Sequence, residues 1–90
     1  SARILIEEGA YELALEQLQQ ATAEDPDPSD IYNLGLCFEA TGDYGLALNS
    51  YREAWSVEPE NLIFAQGIGR VERIRREVPQ LRRQLRKKEQ

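Results

Sequence analysis

The side chains that could do chemistry in this chain are few, and they do not complete a metal-binding set. Asp25, Asp27 and Asp30 form an acidic cluster that superficially resembles a calcium-binding loop. Two prolines interrupt the cluster, no glycine stands at its centre, and Leu36 occupies the place of the bidentate glutamate. We therefore predict no calcium site and no other metal site.

Catalysis needs groups that this composition supplies poorly. The 90 residues include no histidine, the commonest general base and the usual activator of a serine or cysteine nucleophile. Glu7, Glu8 and the other glutamates fall on faces that the hydropathy pattern predicts to be exposed. Gly67 and Gly69 resemble a fragment of a phosphate-cradling loop, but no strand precedes them and no third glycine follows. We predict that the chain is not an enzyme and holds no cofactor.

The single cysteine, Cys37, lies between Leu36 and Phe38, which is typical of a small buried core residue. An unpaired cysteine and no secretory segment make a cytoplasmic location the default expectation. No apolar run approaches the roughly 20 residues of a membrane-spanning helix. Because the sequence contains no methionine, we expect a processed product or a piece of a longer polypeptide.

Charge is distributed very unequally along the chain. Residues 1–69 carry 13 acidic and two basic side chains, a net charge of −11, whereas residues 70–90 carry nine basic and three acidic ones, a net charge of +6. A solvated face, contact with anionic lipid or nucleic acid, and docking on an acidic protein surface would each account for the basic run. No aromatic residue follows position 64, so we expect no specific nucleic-acid recognition through base stacking. The run consists of Arg82, Arg83, Arg86, Lys87 and Lys88.

An internal repeat organises the first two thirds of the chain. Sliding the sequence against itself by 33 residues brings together glycines, tyrosines, alanines, leucines and prolines at one common offset. Coincidence of so many special residue types at one offset indicates a structural repeat. The matching pairs are Gly9 and Gly42, Tyr11 and Tyr44, Leu13 and Leu46, Ala14 and Ala47, Leu15 and Leu48, Ala21 and Ala54, and Pro26 and Pro59.

Each unit of the repeat is predicted to contain two helices. Apolar residues follow helical spacing over residues 31–38 and again over residues 44–54. Between them, Gly42 supplies a left-handed helix stop and Asp43 an N-cap oxygen, as a tight turn between helices requires. Gly9 stands at the matching place in the first unit.

Prolines mark the boundaries between units. Pro26 and Pro59 are predicted to end the second helix of each unit, since proline cannot continue a helix. Asp27 followed by Pro28 is typical of an N-cap with proline at the first helical position.

These residues resemble the signature of the tetratricopeptide repeat (TPR) family, in which aromatic, Leu-Gly, alanine and proline positions recur at fixed spacings. The resemblance covers about residues 2 to 69. It implies an all-α fold, a right-handed superhelical stack of antiparallel helix pairs, with about two and a half repeats and a C-terminal capping helix. The second unit carries the signature at Ile31, Leu34, Gly35, Phe38, Ala47, Tyr51 and Pro59.

The resemblance also predicts how the single domain, residues 1–90, is divided. Residues 1–26 would be a partial first repeat and residues 27–59 a complete second one. Residues 60–78 would form the first helix of a third repeat or a cap, and residues 79–90 a basic helical tail. The family serves as a scaffold or adaptor, which implies a protein-interaction module that binds a protein or peptide partner.

In such a stack, the first helices of successive units would line a concave groove. An apolar middle flanked by arginines suits an extended or helical peptide that carries an apolar anchor and a carboxylate. The alternative is that Tyr32 and Leu36 merely pack against neighbouring helices or the chain's own tail. The residues predicted for the groove are Arg3, Ile6, Tyr32, Asn33, Leu36, Glu39, Gln66, Arg70 and Arg73.

The last helical segment carries a narrow apolar stripe whose members are three and four residues apart. Either the segment caps the stack with a charged outer face, or the stripe joins a second copy as a homodimer. In the second case the chain would serve as a homo-oligomerisation element or a structural spacer. Pro79 interrupts the pattern, so we expect a helix to about Glu77 followed by a kink or a new start. The stripe consists of Val71, Ile74, Val78, Leu81 and Leu85.

Overall fold

The structure, a computed structural model, describes residues 2–89, and this range contains five α-helices and no strand. The predicted all-α fold with paired helices is therefore confirmed. Both second helices, α2 and α4, begin at a tyrosine and are 14 residues long, in agreement with the sequence repeat. The helices are α1 (Ala2–Glu7), α2 (Tyr11–Glu24), α3 (Pro28–Ala40), α4 (Tyr44–Val57) and α5 (Leu62–Glu89).

The turns inside the two helix pairs depend on glycine in the left-handed conformation. Gly9 has a φ of 81° and Gly42 a φ of 88°, values that side chains with a Cβ rarely adopt. In the second turn the N–H of Asp43 donates to the carbonyl of Phe38 at 2.8 Å, which closes the end of α3. Asp43 occupies the N-cap position of α4 as predicted, but the predicted capping bond is not made, because its carboxylate accepts from the Thr41 hydroxyl at 3.5 Å and not from a helix N–H.

The start of α3 follows the prediction from sequence. Asp27 Oδ1 accepts a hydrogen bond from the N–H of Ser29 at 2.7 Å, and Pro28 occupies the first turn, where its missing N–H costs nothing. Pro26 and Pro59 each lie two residues beyond the end of a second helix, so their predicted role as boundaries is confirmed.

The ring of Tyr51 is the centre of the larger core. A Cβ at position 35 would overlap this ring, and a Cβ at position 67 would stand 3.1 Å from its carbons. Glycine at these two places therefore lets α3 and α5 approach α4 from two sides. Tyr51, Ala47 and Ala54 are each 0% exposed. The prediction that small residues permit the close approach of these helices is confirmed.

A second cluster joins α2 to α3. Ala14, Leu18 and Cys37 are buried there, and the apolar side of α1 packs against them. Burial raises the pKa of the Cys37 thiol, because the thiolate would lose its hydration. Cys37 is thus the small buried core residue that the sequence predicted.

The last helix differs from the expectation. Of the predicted kink or new start after about Glu77, the new start does not occur, because α5 is one helix of 28 residues with Pro79 inside it. Proline at this place removes one helix hydrogen bond. The chain around it is exposed, so water can satisfy the freed carbonyl and the helix continues. None of the helices within residues 2–89 combines the length and apolarity that crossing a membrane requires.

The apolar stripe of α5 is divided between the body and the solvent. Val71 is 0% exposed in the core around Tyr51, and Ile74 and Val78 are half-buried. Leu81 and Leu85 are 55% and 60% exposed on the segment of α5 that follows Pro79. Only the last part of the predicted stripe therefore remains open to another molecule.

Candidate functional site

A cleft of about 460 Å³ opens where the first helices α1, α3 and α5 meet. The apolar part of its lining comes from all three helices, and polar side chains complete the lining. The apolar residues are Ile6, Tyr32, Leu36, Ile63 and Phe64, and the polar residues are Arg3, Glu7, Ser29, Asn33 and Asn61.

The floor of the cleft is built on stacked aromatic rings. The ring centroid of Tyr32 lies 5.3 Å from that of Tyr51 and 5.1 Å from that of Phe64. Tyr32 and Leu36 both reach the core around Tyr51, yet both remain half-buried and line the cleft. One side of each residue therefore packs against neighbouring helices, and the other side faces the cleft.

The polar part of the lining includes an exposed ion pair and an asparagine held by its own helix. Arg3 Nε lies 3.6 Å from Glu7 Oε1, and these side chains are 84% and 67% exposed. An exposed ion pair of this kind is worth little, so the guanidinium can turn to another carboxylate at small cost. Asn61 is fixed, because its Oδ1 accepts from the N–H of Ile63 at 3.0 Å and caps α5.

Two residues predicted for the groove are bound to each other. Arg70 donates to Glu39 through Nε and Nη2, both at 2.7 Å, and Tyr51 donates its hydroxyl to the same carboxylate at 2.7 Å. Burial alone would raise the pKa of Glu39, but the hydrogen bonds from Arg70 and Tyr51 outweigh it and lower the pKa. The pKa of Arg70 is raised by the same hydrogen bond. This ion pair ties α3 to α5 and lies outside the lining of the cleft.

Two further residues predicted for the groove, Gln66 and Arg73, lie on the solvent side of α5. Successive residues are about 100° apart around a helix, and Gly67 faces Tyr51, so Gln66 is turned away from the packed side. Arg73 donates to Glu77 on its own helix at 3.0 Å. The structure therefore gathers five of the nine predicted residues in one cleft, namely Arg3, Ile6, Tyr32, Asn33 and Leu36.

Sequence reasoning missed five other residues of the lining. Asn61 could have been found as an asparagine directly before a helical pattern, a typical N-cap. Ile63 and Phe64 belong to the apolar pattern of α5, but its periodicity does not say which turn of the helix meets α3. The residues missed are Glu7, Ser29, Asn61, Ile63 and Phe64.

The chemistry that this arrangement supports is recognition. An apolar side chain fits the floor, the amide of Asn33 can hydrogen-bond a backbone, and Arg3 can pair with a carboxylate. Within residues 2–89, no three histidine, cysteine, aspartate or glutamate side chains stand close enough to hold a metal ion.

Residues 31–61, which cover most of α3 and all of α4, match the family model for the tetratricopeptide repeat. The resemblance drawn from the sequence is therefore confirmed for this unit. No curated protein and no solved structure matches the chain.

Proposed function

We propose that this chain, which carries a tetratricopeptide repeat at residues 31–61, is a protein-interaction module that binds a partner's peptide or helix in the cleft between α1, α3 and α5. The observation that carries the proposal is the convergence of three first helices on one cleft with an apolar floor and polar side chains in its lining. Pockets of this construction are where proteins hold ligands.

The lining indicates the chemistry of the occupant. An aliphatic or aromatic side chain would rest on Tyr32, Ile63 and Phe64, where it removes exposed apolar surface from water. A carboxylate near Arg3 would exchange an exposed intramolecular ion pair for an intermolecular one. The partner is thus a segment with one apolar anchor and one acidic group, in extended or helical form.

A matched pair of neighbouring residues tests the cleft. Ile63 is 57% exposed and lines it, whereas Leu62 is 73% exposed and does not belong to the lining. Peptides selected from a random library against the wild-type chain would be titrated against Ile63→Glu and Leu62→Glu. We expect Ile63→Glu to weaken binding at least about tenfold, or about 1.4 kcal/mol, because it puts a charge on the apolar floor. Leu62→Glu should leave the affinity within about twofold.

Selected peptides that bind both variants equally would show that recognition happens elsewhere on the chain, and the proposal would then be wrong. Circular dichroism must show both variants folded. Both side chains are largely exposed, so we expect their unfolding free energies to stay within about 0.5 kcal/mol of the wild type.

A second proposal is self-association through the projecting part of the apolar stripe. Val71 is buried inside the chain and Ile74 and Val78 are half-buried, so Leu81 and Leu85 are the members left to meet a second copy. Sedimentation over a concentration series, with Leu81→Glu plus Leu85→Glu as the control, tests it. A concentration-dependent dimer that the double variant removes supports the proposal. A wild-type chain that stays monomeric up to about millimolar concentration, where ΔG of association is only about −4 kcal/mol, refutes it.

A further inference from the structure

Two glycines stand at equivalent places in the first helices α3 and α5, but their surroundings differ. The Leu-Gly pair at 34–35 recurs as Ile-Gly at 68–69. Gly35 is buried beneath the ring of Tyr51, which α4 contributes. Gly69 is exposed, and among residues 2–89 nothing stands within 4 Å of where its Cβ would be. The place that α4 fills on α3 is therefore open on α5.

An apolar cavity lies along this open side of α5. It measures about 410 Å³, and Trp55, Ala65 and Ile68 form its apolar walls. The indole of Trp55 is 41% exposed. Exposed aromatic surface next to a cavity is typical of a binding surface, because tryptophan offers much apolar area at a small entropic cost.

The same side of α5 becomes basic further along the helix. A second cavity of about 220 Å³ is lined by Arg52, Arg75 and Arg76, with Glu72 and Leu48 between them. Three guanidinium groups against one carboxylate leave this end positive and favour an acidic occupant. None of the residues that line either cavity also lines the cleft between α1, α3 and α5.

From these observations we infer that the outer face of α4 and α5 binds an amphipathic helix of another protein. The helix places an aromatic ring over Gly69 and carboxylates beside Arg75 and Arg76. We use the packing of α4 on α3 as the template for how this helix packs on α5. The turn that joins them places the start of α4 beside the end of α3, so the helices run antiparallel.

The length and direction of the occupant follow from the template. Ala65 to Arg76 spans 12 residues, about 17 Å of helix at a rise of 1.5 Å per residue, so a helix similar in length to α4 covers both cavities. With the 34-residue offset of the glycines, Arg75 and Arg76 correspond to residues 41 and 42, which lie beside the start of α4. The N-terminal end of the bound helix therefore carries the acidic groups.

A second copy of this chain fits the surface less well than a separate partner. The aromatic residue of α4 that fills the template position is Tyr51, and it is 0% exposed in its own core. The equivalent residue of α2, at an offset of 33, is Leu18, which is also buried. Neither second helix of a folded copy can therefore offer the residue at the template position to Gly69.

The probe for this inference is a synthetic, labelled peptide of residues 44–57 with three glutamates added at its N-terminus. Fluorescence anisotropy would report its binding to the wild-type chain. We expect saturable binding that weakens at least about tenfold when the peptide carries Tyr51→Ala. Removing the three glutamates should also weaken binding and reduce its dependence on salt.

Variants of the chain locate the site. Gly69→Leu fills the open place and should weaken binding at least about tenfold while the fold persists, because leucine favours helix over glycine. Arg75→Glu plus Arg76→Glu should remove the advantage of the added glutamates. Glu16→Leu, which adds the same side chain to the exposed side of α2, should change nothing. Ile63→Glu, in the cleft, should also leave this peptide bound, so the two sites are tested independently.

Three outcomes would overturn the inference. The first is that the peptide shows no saturable binding to the wild-type chain. The second is that the peptide binds Gly69→Leu and the wild type equally. Equal binding would also be the result if the peptide replaced the chain's own α4 in the core. The third is sedimentation of the wild type as a dimer that Gly69→Leu dissociates, since the occupant would then be a second copy.

Discussion

The complete helix pair α3–α4 and the long helix α5 use similar residues in opposite ways. In the pair, Gly35 and Tyr51 face inward and pack against each other in the core. On α5 the equivalent glycine faces open space, leucines past Pro79 face solvent, and most charges are exposed. The difference shows that enclosure by a second helix, and not residue type, decides whether a position stabilises the fold or remains available for binding. Five predictions test this comparison.

The largest effect is expected from removing the enclosed ring of Tyr51, and a much smaller one from truncating an exposed leucine on α5. Tyr51→Ala should lower the free energy of unfolding by about 3–5 kcal/mol, since it leaves a cavity between three helices. Leu85→Ala, on the projecting part of α5, should change it by less than about 0.5 kcal/mol. Urea titration of both variants gives the two values, and similar values would contradict the comparison.

The same substitution at the two equivalent glycines should have opposite signs. Gly35→Ala puts a methyl group into the ring of Tyr51 and should destabilise the chain by about 1–3 kcal/mol. Gly69→Ala meets nothing among the described residues and should gain up to about 1 kcal/mol from helix propensity. Thermal unfolding of the pair checks this. A loss of stability at position 69 would mean that α5 is already covered in solution.

The two ion pairs of α5 should also differ. Glu39→Gln breaks the bidentate bond from Arg70 and should cost about 1 kcal/mol near neutral pH, a value reduced by solvent access to the pair. Glu77→Gln breaks an exposed pair within one helix and should cost less than about 0.5 kcal/mol.

The first of these costs should depend on pH. The pKa of Glu39 is lowered in the folded state, so its contribution is present above the ordinary glutamate pKa of about 4.3 and disappears as the pH falls through the lowered value. The unfolding free energies of the wild type and Glu39→Gln should therefore converge in acid. A difference that stays constant down to about pH 2 would contradict the role assigned to this carboxylate.

The smallest effect on global stability is expected at Pro79. Pro79→Ala restores a helix hydrogen bond in a segment that lies beyond the body, so it should slow amide exchange over residues 80–88. The global free energy of unfolding should change by less than about 0.5 kcal/mol, since this segment contributes little buried surface. A larger global change would show that the end of α5 packs on the body.

Much of the fold could be predicted because its signals are local. The 33-residue offset, the glycines at 9 and 42, and the Asp27-Pro28 start each describe a few neighbouring residues, and each is found where the sequence predicts it. The predictions that failed also concern local features, at places where two local arrangements compete. The carboxylate of Asp43, at the N-cap position of α4, bonds Thr41 instead of a helix N–H, and α5 continues through Pro79 because water can replace the lost hydrogen bond.

The candidate site could be predicted only in part. The residues predicted on α1 and in the middle of α3 line the cleft. They could be predicted because helical spacing identifies which side of α3 faces away from α4. The residues predicted on α5 do not line it, because the cleft uses the first turn of that helix. Arg70 is held instead by Glu39, which lies 31 residues away in the chain.

The sequence by itself determined that this chain forms paired helices, where the turns inside each pair fall, and which side of each helix is apolar, because periodicity and backbone preferences act over a few residues. Only the tertiary structure decided which apolar surface remains open. That outcome depends on how α5 is rotated about its axis and how far along it α4 reaches, and both are set by side chains such as Tyr51 that pack between distant segments.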